Sequence, residues 1–146
     1  MFRGNAPARI DDKGRLKVPN AFRTLLEGKY GRELFLTSLS GEFVRIYPMP
    51  VWLAIEQKLG EVPSTHPSRT RYLERVNYFG QASVLDGQGR VIIPLRLREA
   101  ATMTGAVDVL GQYNYFDVWN HDRFLLRIQR EPYTDDDARA MSEFGV

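Results

Sequence analysis

The chain contains no cysteine, only two histidines, and no hydrophobic run that approaches the length of a membrane span. Without cysteine it has neither disulfides nor thiolate ligands, which excludes the disulfide-stabilised class of small secreted domains. A membrane helix needs about 20 consecutive apolar residues, and the opening residues lack the apolar segment of a signal peptide. We therefore expect a cytoplasmic protein with no membrane association.

Catalytic and metal-binding motifs are missing as well. The sequence has no phosphate-binding P-loop, no nucleophile elbow and no dinucleotide fingerprint. His66 and His121 lie in unrelated contexts without metal-ligand spacing. Asp11 with Asp12 is a weak candidate for a catalytic pair, because neighbours in a strand point apart. The run 135–137 is better explained as a helix start than as a cation site. We expect no enzymatic activity, no metal and no cofactor.

The composition is that of an ordinary globular domain with an uneven distribution of charge. Of the 146 residues, 43% are hydrophobic, so the chain is able to bury a core. The formal net charge is only +2. However, residues 1–32 carry eight basic and three acidic side chains, whereas residues 131–146 carry five acidic and one basic. A near-neutral total thus conceals a basic N-terminal region and an acidic tail.

One motif, Asp-x-x-Gly-Arg, occurs twice and begins a longer internal repeat. Residues 10–23 match residues 85–98 at a constant offset of 75. The positions that match are Asp11, Gly14, Arg15, Val18, Pro19 and Arg23, which correspond to Asp86, Gly89, Arg90, Ile93, Pro94 and Arg98. The similarity continues at an offset of 72, where Tyr47 corresponds to Trp119. A repeat of this length predicts two copies of one supersecondary unit.

Each copy is predicted to contain a strand, the charged loop, a second strand, a short helix, a hairpin and a further helix. Three or four short strands do not close a sheet on their own, and pairing the copies would remove their open edges. We therefore predict one domain over 1–146, mixed but mainly β with short helices. It would comprise repeats at about 5–52 and 80–124, a helical connector 53–79 and a helical or frayed tail 125–146.

Several helix boundaries follow from local signals. The first short helix should begin after Pro19 and end at Gly28, since glycine commonly terminates helices. The second should direct Leu97, Ala100 and Ala101 inward. Apolar spacing predicts further helices over 68–79 and 122–130.

The repeated loop has two interpretations from its residues alone. An aspartate and an arginine four residues apart around a glycine can form an internal ion pair, which on a surface contributes little. Alternatively, Lys13, Arg15 and Arg90 project from the loops toward phosphate or a base edge, because the planar arginine fork bonds either bidentately. The residues alone leave both interpretations open.

The motifs together resemble one family over residues 1 to about 125. The segments are Asp11–Pro19 with the opening Met1–Gly4, Tyr47–Trp52, Ile55–Leu59, Gly89–Pro94 and Val109–Trp119. These segments are similar to the MraZ family. The resemblance implies an AbrB-like swapped-hairpin barrel with both halves in one chain. It also implies a bacterial transcriptional regulator, usually a repressor of its own division and cell-wall gene cluster, that binds tandem upstream DNA repeats as a closed homo-oligomeric ring.

The resemblance also implies which residues form the site. Asp11, Gly14, Asp86 and Gly89 are carried over as motif and structural positions. The DNA-binding candidates are Arg3, Arg9, Lys13, Arg15, Gln88 and Arg90. Gln88 stands where the first loop has Lys13, so the two loops are expected to contribute unequally.

The implied partner is double-stranded DNA, and the implied location is the nucleoid. An alternative is an AbrB-type interaction scaffold of the antitoxin kind, in which the loop arginines bind acidic protein; a toxin gene next to this one would favour it.

Overall fold

The computed structural model describes all residues, 1–146, as eight strands and six α-helices with one π-helical turn. The first half contains β1 (Asn5–Ile10), β2 (Arg15–Lys17), α1 (Asn20–Leu25), the π-helical turn Leu26–Tyr30, β3 (Glu33–Thr37), β4 (Val44–Pro48), α2 (Met49–Glu61) and α3 (Pro67–Tyr78). The second half contains β5 (Gln81–Val84), β6 (Arg90–Ile92), α4 (Leu95–Ala100), β7 (Gly105–Gly111), β8 (Phe116–Asn120), α5 (His121–Arg130) and α6 (Asp135–Ser142). Apart from the π-helical turn, the two halves share one element order.

The loops between paired strands and the starts of the short helices have local causes. Gly14 and Gly89 have φ of 79° and 77°, a region that side chains with a Cβ rarely adopt. Pro19 and Pro94 are extended, with φ of −54° and −56°. Because proline lacks an N–H and fixes φ, it ends each strand and precedes the first helical turn.

The strands form one antiparallel sheet in the order β5-β3-β4-β8-β7-β1-β2-β6. The terminal strands β5 and β6 lie side by side, so the sheet is a nearly closed barrel. Four pairings join the halves: β1 with β7, β2 with β6, β3 with β5, and β4 with β8. This exchange of strands confirms the mainly β, AbrB-like barrel.

The barrel interior holds the main hydrophobic core. Inward residues of the short strands, such as Leu16 and Val91, are at most 1% exposed, whereas their neighbours face outward. A smaller cluster of Tyr47, Trp52 and Val76 lies where α2 and α3 pack against the sheet. None of the six α-helices combines the length and the hydrophobicity that a membrane span requires.

Three helix details differ from the sequence-based expectation. The first short helix does not end at Gly28, because the chain continues through the π-helical turn to Gly31, where φ is 92°. Ala100 is exposed, while Leu97 and Ala101 are buried. With only six residues, α4 buries one narrow face. The connector helix begins at Met49, before position 53.

Candidate nucleic-acid interface

The first charged loop, residues 11–15, is organised by the Asp11 carboxylate. Its Oδ1 accepts hydrogen bonds from the backbone N–H of Lys13 (3.0 Å) and of Arg15 (2.8 Å). Its Oδ2 accepts from Nε of Arg15 at 2.7 Å. The Gly14 N–H donates to the Asp11 carbonyl oxygen at 3.0 Å. These bonds hold the Arg15 guanidinium by one edge and leave both terminal nitrogens without a protein partner.

The second loop, residues 86–90, repeats this arrangement closely. Oδ1 of Asp86 accepts from the N–H groups of Gln88 (2.9 Å) and Arg90 (2.8 Å), and Oδ2 accepts from Nε of Arg90 at 3.0 Å. The Gly89 N–H donates to the Asp86 carbonyl at 3.0 Å. The same motif therefore gives the same loop twice, with one partly free arginine on each.

The loop geometry keeps both aspartates ionised. The backbone N–H of Arg15, followed by its guanidinium and the Lys13 N–H, lowers the pKa of Asp11. The backbone N–H groups of Arg90 and Gln88, together with the Arg90 side chain, lower the pKa of Asp86. Each hydrogen bond stabilises the carboxylate more than the neutral acid.

The two loops interlock across the halves of the barrel. The Val18 N–H donates to the Gly89 carbonyl and the Ile93 N–H donates to the Gly14 carbonyl, both at 2.9 Å. Between these contacts β2 and β6 pair antiparallel, with Lys17 opposite Arg90. The loops therefore lie at opposite ends of a short two-stranded ribbon.

The outer face of this ribbon is basic. Leu16 and Val91 point into the core, so the flanking Arg15, Lys17 and Arg90 point outward. Arg9 on β1 is exposed and lines, with Lys17, a surface groove of about 340 Å³. We call these four residues, Arg9, Arg15, Lys17 and Arg90, the basic ribbon face.

The predicted site residues do not all meet on this face. Lys13 and Gln88 are exposed at the loop tips beside it. Arg3, although exposed, lies before β1, near the pairing of Phe2 with Tyr113. The six residues of β1 separate Arg3 from the first loop by about 20 Å at 3.3 Å per residue. Arg3 is therefore remote from the loops.

Sequence reasoning did not single out Lys17, which the fold places on the basic ribbon face. Its alternation with Leu16 and Val18 placed it outward, but only the pairing of β2 with β6 shows that it faces Arg90. The residues of two distant segments meet there, and the repeat alone did not indicate which strands pair.

The other polar candidates have local structural roles. Nδ1 of His66 accepts from the Ser68 N–H at the start of α3, and His121 bonds Oδ2 of the buried Asp108 at 2.7 Å. Asp137 and Thr134 form a reciprocal cap at the start of α6. No group of three or more histidine or acidic side chains is placed to hold a metal ion.

Comparisons with known proteins agree on one family. The family model described as "MraZ protein, putative antitoxin-like" matches residues 1–75 and 80–144. A protein of Acidobacterium capsulatum named transcriptional regulator MraZ is 44% identical over 146 residues, the full length of both chains. A protein of the same name from Koribacter versatilis is 46% identical, again over the full length of both. One from Escherichia coli is 33% identical over 90% of this chain and 87% of its own length.

Proposed function

This chain belongs to the MraZ family, and from that premise we propose that it regulates transcription by binding specific double-stranded DNA through its basic ribbon face. Its relatives are named transcriptional regulators, which places the chain among regulators and not enzymes. The proposal extends to a cytoplasmic, nucleoid-associated repressor of its own gene cluster that recognises tandem upstream repeats.

The observation that carries the proposal is the pair of interlocked loops on one ribbon. The major groove of B-DNA admits a two-stranded β-ribbon, and arginine is the side chain that most often reads guanine there. Arg15 and Arg90 each keep two terminal nitrogens free while an aspartate fixes the guanidinium. Such fixed arginines lose little conformational entropy on binding.

The cationic groups divide by expected role. Arg15 and Arg90 are proposed to contact base edges, and Gln88 to contact either a base or the backbone. Arg9, Lys13 and Lys17 are proposed to contact phosphates, which set affinity and salt dependence. Arg3 is proposed to contact phosphates outside the groove that holds the ribbon, because it lies beyond the far end of β1.

We propose that the protein acts as a single domain of two repeats and assembles into a homo-oligomer, a closed ring in its complete form. Helix α5 buries no residue, and Leu125, Leu126 and Ile128 on it are 47–50% exposed. A ring would present many copies of the basic ribbon face to repeated DNA sites, so weak single contacts would sum to tight binding.

Substitution of Arg15 tests the site. Arg15→Ala should weaken binding to DNA from upstream of the protein's own gene by about 10- to 100-fold, since one arginine–guanine contact contributes about 1–3 kcal/mol. Fluorescence anisotropy measures the loss. Arg71→Ala, which removes an exposed charge on α3, is the matched control and should bind as the wild type does. Equal affinity of the Arg15 and Arg71 variants would refute the assignment.

The family description as antitoxin-like favours one second candidate, a scaffold that binds an acidic partner protein through the same face. The neighbouring genes separate the two. A downstream division and cell-wall cluster supports the regulator, and an adjacent toxin gene supports the scaffold.

A further inference from the structure

Each charged loop is covered by an arginine from the opposite half of the chain. Arg23 on α1 packs over Gly89 of the second loop, and Arg98 on α4 packs over Gly14 of the first. A Cβ placed on Gly14 would overlap Cζ, Nη1 and Nε of Arg98. The glycine therefore provides both the left-handed backbone and the space for the guanidinium.

The two arginines that pack on the loops, Arg23 and Arg98, differ in their hydrogen bonds. Arg23 donates through Nε to Glu27 at 2.8 Å and through Nη2 to the Gly87 carbonyl at 3.1 Å. Arg98 makes no ion pair, and its buried Nε has no hydrogen-bond partner. At the offset of 75, Thr102 stands where Arg23 has Glu27. The arginine is thus present in both halves, whereas its carboxylate partner is present only in the first.

The second loop has a further support that the first lacks. Nη2 of Arg32 donates to the carbonyl of Asp86. At the offset of 72 that applies beyond the short helices, Thr104 replaces Arg32 and makes no such bond. The first loop is therefore held from outside itself by the Ile93 N–H and by the Arg98 side chain.

A buried donor without a partner is costly, so other contacts of Arg98 must offset this cost. Leaving a buried polar group unsatisfied costs about 1–3 kcal/mol, and most buried side-chain donors in native proteins find partners. Arg98 shares a cavity of about 300 Å³ with Asp12 and Glu99, yet neither carboxylate lies within ion-pair distance of it. The Arg98 guanidinium instead packs against the backbone of the first loop at Gly14.

We propose that Arg98 is a positioning residue that holds the first loop in its DNA-binding conformation by packing its planar guanidinium on Gly14. The role in DNA binding rests on the proposed function, whereas the ordering of the loop does not. Because Arg98 comes from the second half, the first loop is completed only when the two halves are joined.

The test uses the full-length protein and two measurements on Arg98→Lys and Arg98→Gln. Amide hydrogen exchange of Lys13 and Arg15 should accelerate by about tenfold or more in both variants, because lysine keeps the charge but has no planar group to cover Gly14. The amides of the second loop and the thermal unfolding midpoint should not change. DNA affinity, measured on the upstream DNA, should fall by about tenfold, or 1.4 kcal/mol.

Arg96→Gln is the matched control, since Arg96 lies on the same helix with its guanidinium over the ring of Tyr78. It should leave exchange in both loops and DNA affinity unchanged. Unaltered first-loop exchange in the Arg98 variants would overturn the proposal, as would full DNA affinity in Arg98→Lys. If the wild type itself binds no DNA, the proposed function fails, and the exchange measurement alone still decides whether Arg98 orders the loop.

Discussion

At the scale of single residues, the loops depend on two carboxylates that each accept three hydrogen bonds from their own loop. Asp11 and Asp86 occupy equivalent positions and make equivalent contacts, although two of the three residues between each aspartate and its arginine differ. The aspartate, the glycine and the arginine are the residues that the geometry requires, and they are the ones the sequence repeats. The intervening Lys13 and Gln88 are exposed and leave the loop geometry unchanged.

The lowered pKa values of Asp11 and Asp86 predict how the loops respond to acid. A carboxyl group whose pKa falls on folding contributes stability above its unfolded value, near 3.9, and loses that contribution as pH falls through the lower folded value. Amide chemical shifts of Arg15 and Arg90 should therefore stay constant from about pH 7 to pH 5 and move only below about pH 4.

Asp11→Asn should reproduce the acid effect at neutral pH for the first loop alone. Asp12→Asn is its control, because the Asp12 side chain makes no hydrogen bond in the structure. Loop shifts that begin near pH 6, or an Asp12 variant that behaves like the Asp11 variant, would contradict this role for the carboxylates.

At the scale of secondary-structure elements, corresponding helices of the two halves have different surroundings. In the first half α3 packs against the sheet, and Thr37 Oγ1 donates to the Val76 carbonyl at 2.7 Å. In the second half α6 occupies the corresponding place in the chain but buries no residue. Met141 on α6 and Phe144 just after it are exposed. An isolated helix of eight residues is marginal in water, so α5 and α6 are the elements expected to contact a second copy.

Removal of residues 131–146 tests this assignment. The deletion should lower the number of subunits in the assembly, measured by light scattering, because it removes the exposed apolar side chains of Met141 and Phe144. The barrel should keep its unfolding midpoint, since α6 contributes nothing to the core. An assembly with an unchanged number of subunits would place the subunit contact elsewhere, and a lower midpoint would show that the tail supports the barrel.

The sequence predicted the elements better than their ends. The charged loops, the helices after Pro19 and Pro94, and the helices over 68–79 and 122–130 are confirmed to within a few residues. The predicted end of the first short helix was wrong, because Gly28 lies inside a π-helical turn. The i to i+5 hydrogen bonds of such a turn leave no signal in the spacing of apolar residues. The prediction that Ala100 is buried was wrong, because α4 has only six residues, less than two helical turns, and buries one narrow face.

At the scale of the whole molecule, duplication with later divergence explains both the symmetry and its exceptions. Arg45 and Asp117 are equivalent at the offset of 72 and lie opposite each other on β4 and β8. Their two hydrogen bonds, at 2.9 and 3.2 Å, join the halves. Burial raises the pKa of Asp117 while the Arg45 guanidinium opposes that rise. In two identical halves the same residue would occupy both of these positions, so two like charges would lie opposite each other. The difference between Arg45 and Asp117 therefore favours pairing of unlike halves.

Long-range pairing is the part of the structure that sequence reasoning did not reach. The offset of 75 identified two loops and two strands, but the position of Lys17 opposite Arg90 depends on antiparallel register between segments about 73 positions apart. The cover of Gly14 by Arg98 depends on the same closure of the barrel. Residue types were therefore predictable, whereas their assembly into one basic ribbon face required the fold.

The most direct test of this account is the binding of the wild-type protein to DNA from upstream of its own gene, against a shuffled sequence, over a series of salt concentrations. We expect tight binding to the native DNA and much weaker binding to the shuffled DNA. The logarithm of affinity should fall with the logarithm of salt concentration at a slope of about −3 or steeper, because each neutralised phosphate contributes about −0.9. Equal affinity for both DNAs, or no binding to either at low salt, would contradict sequence-specific recognition by the two loops.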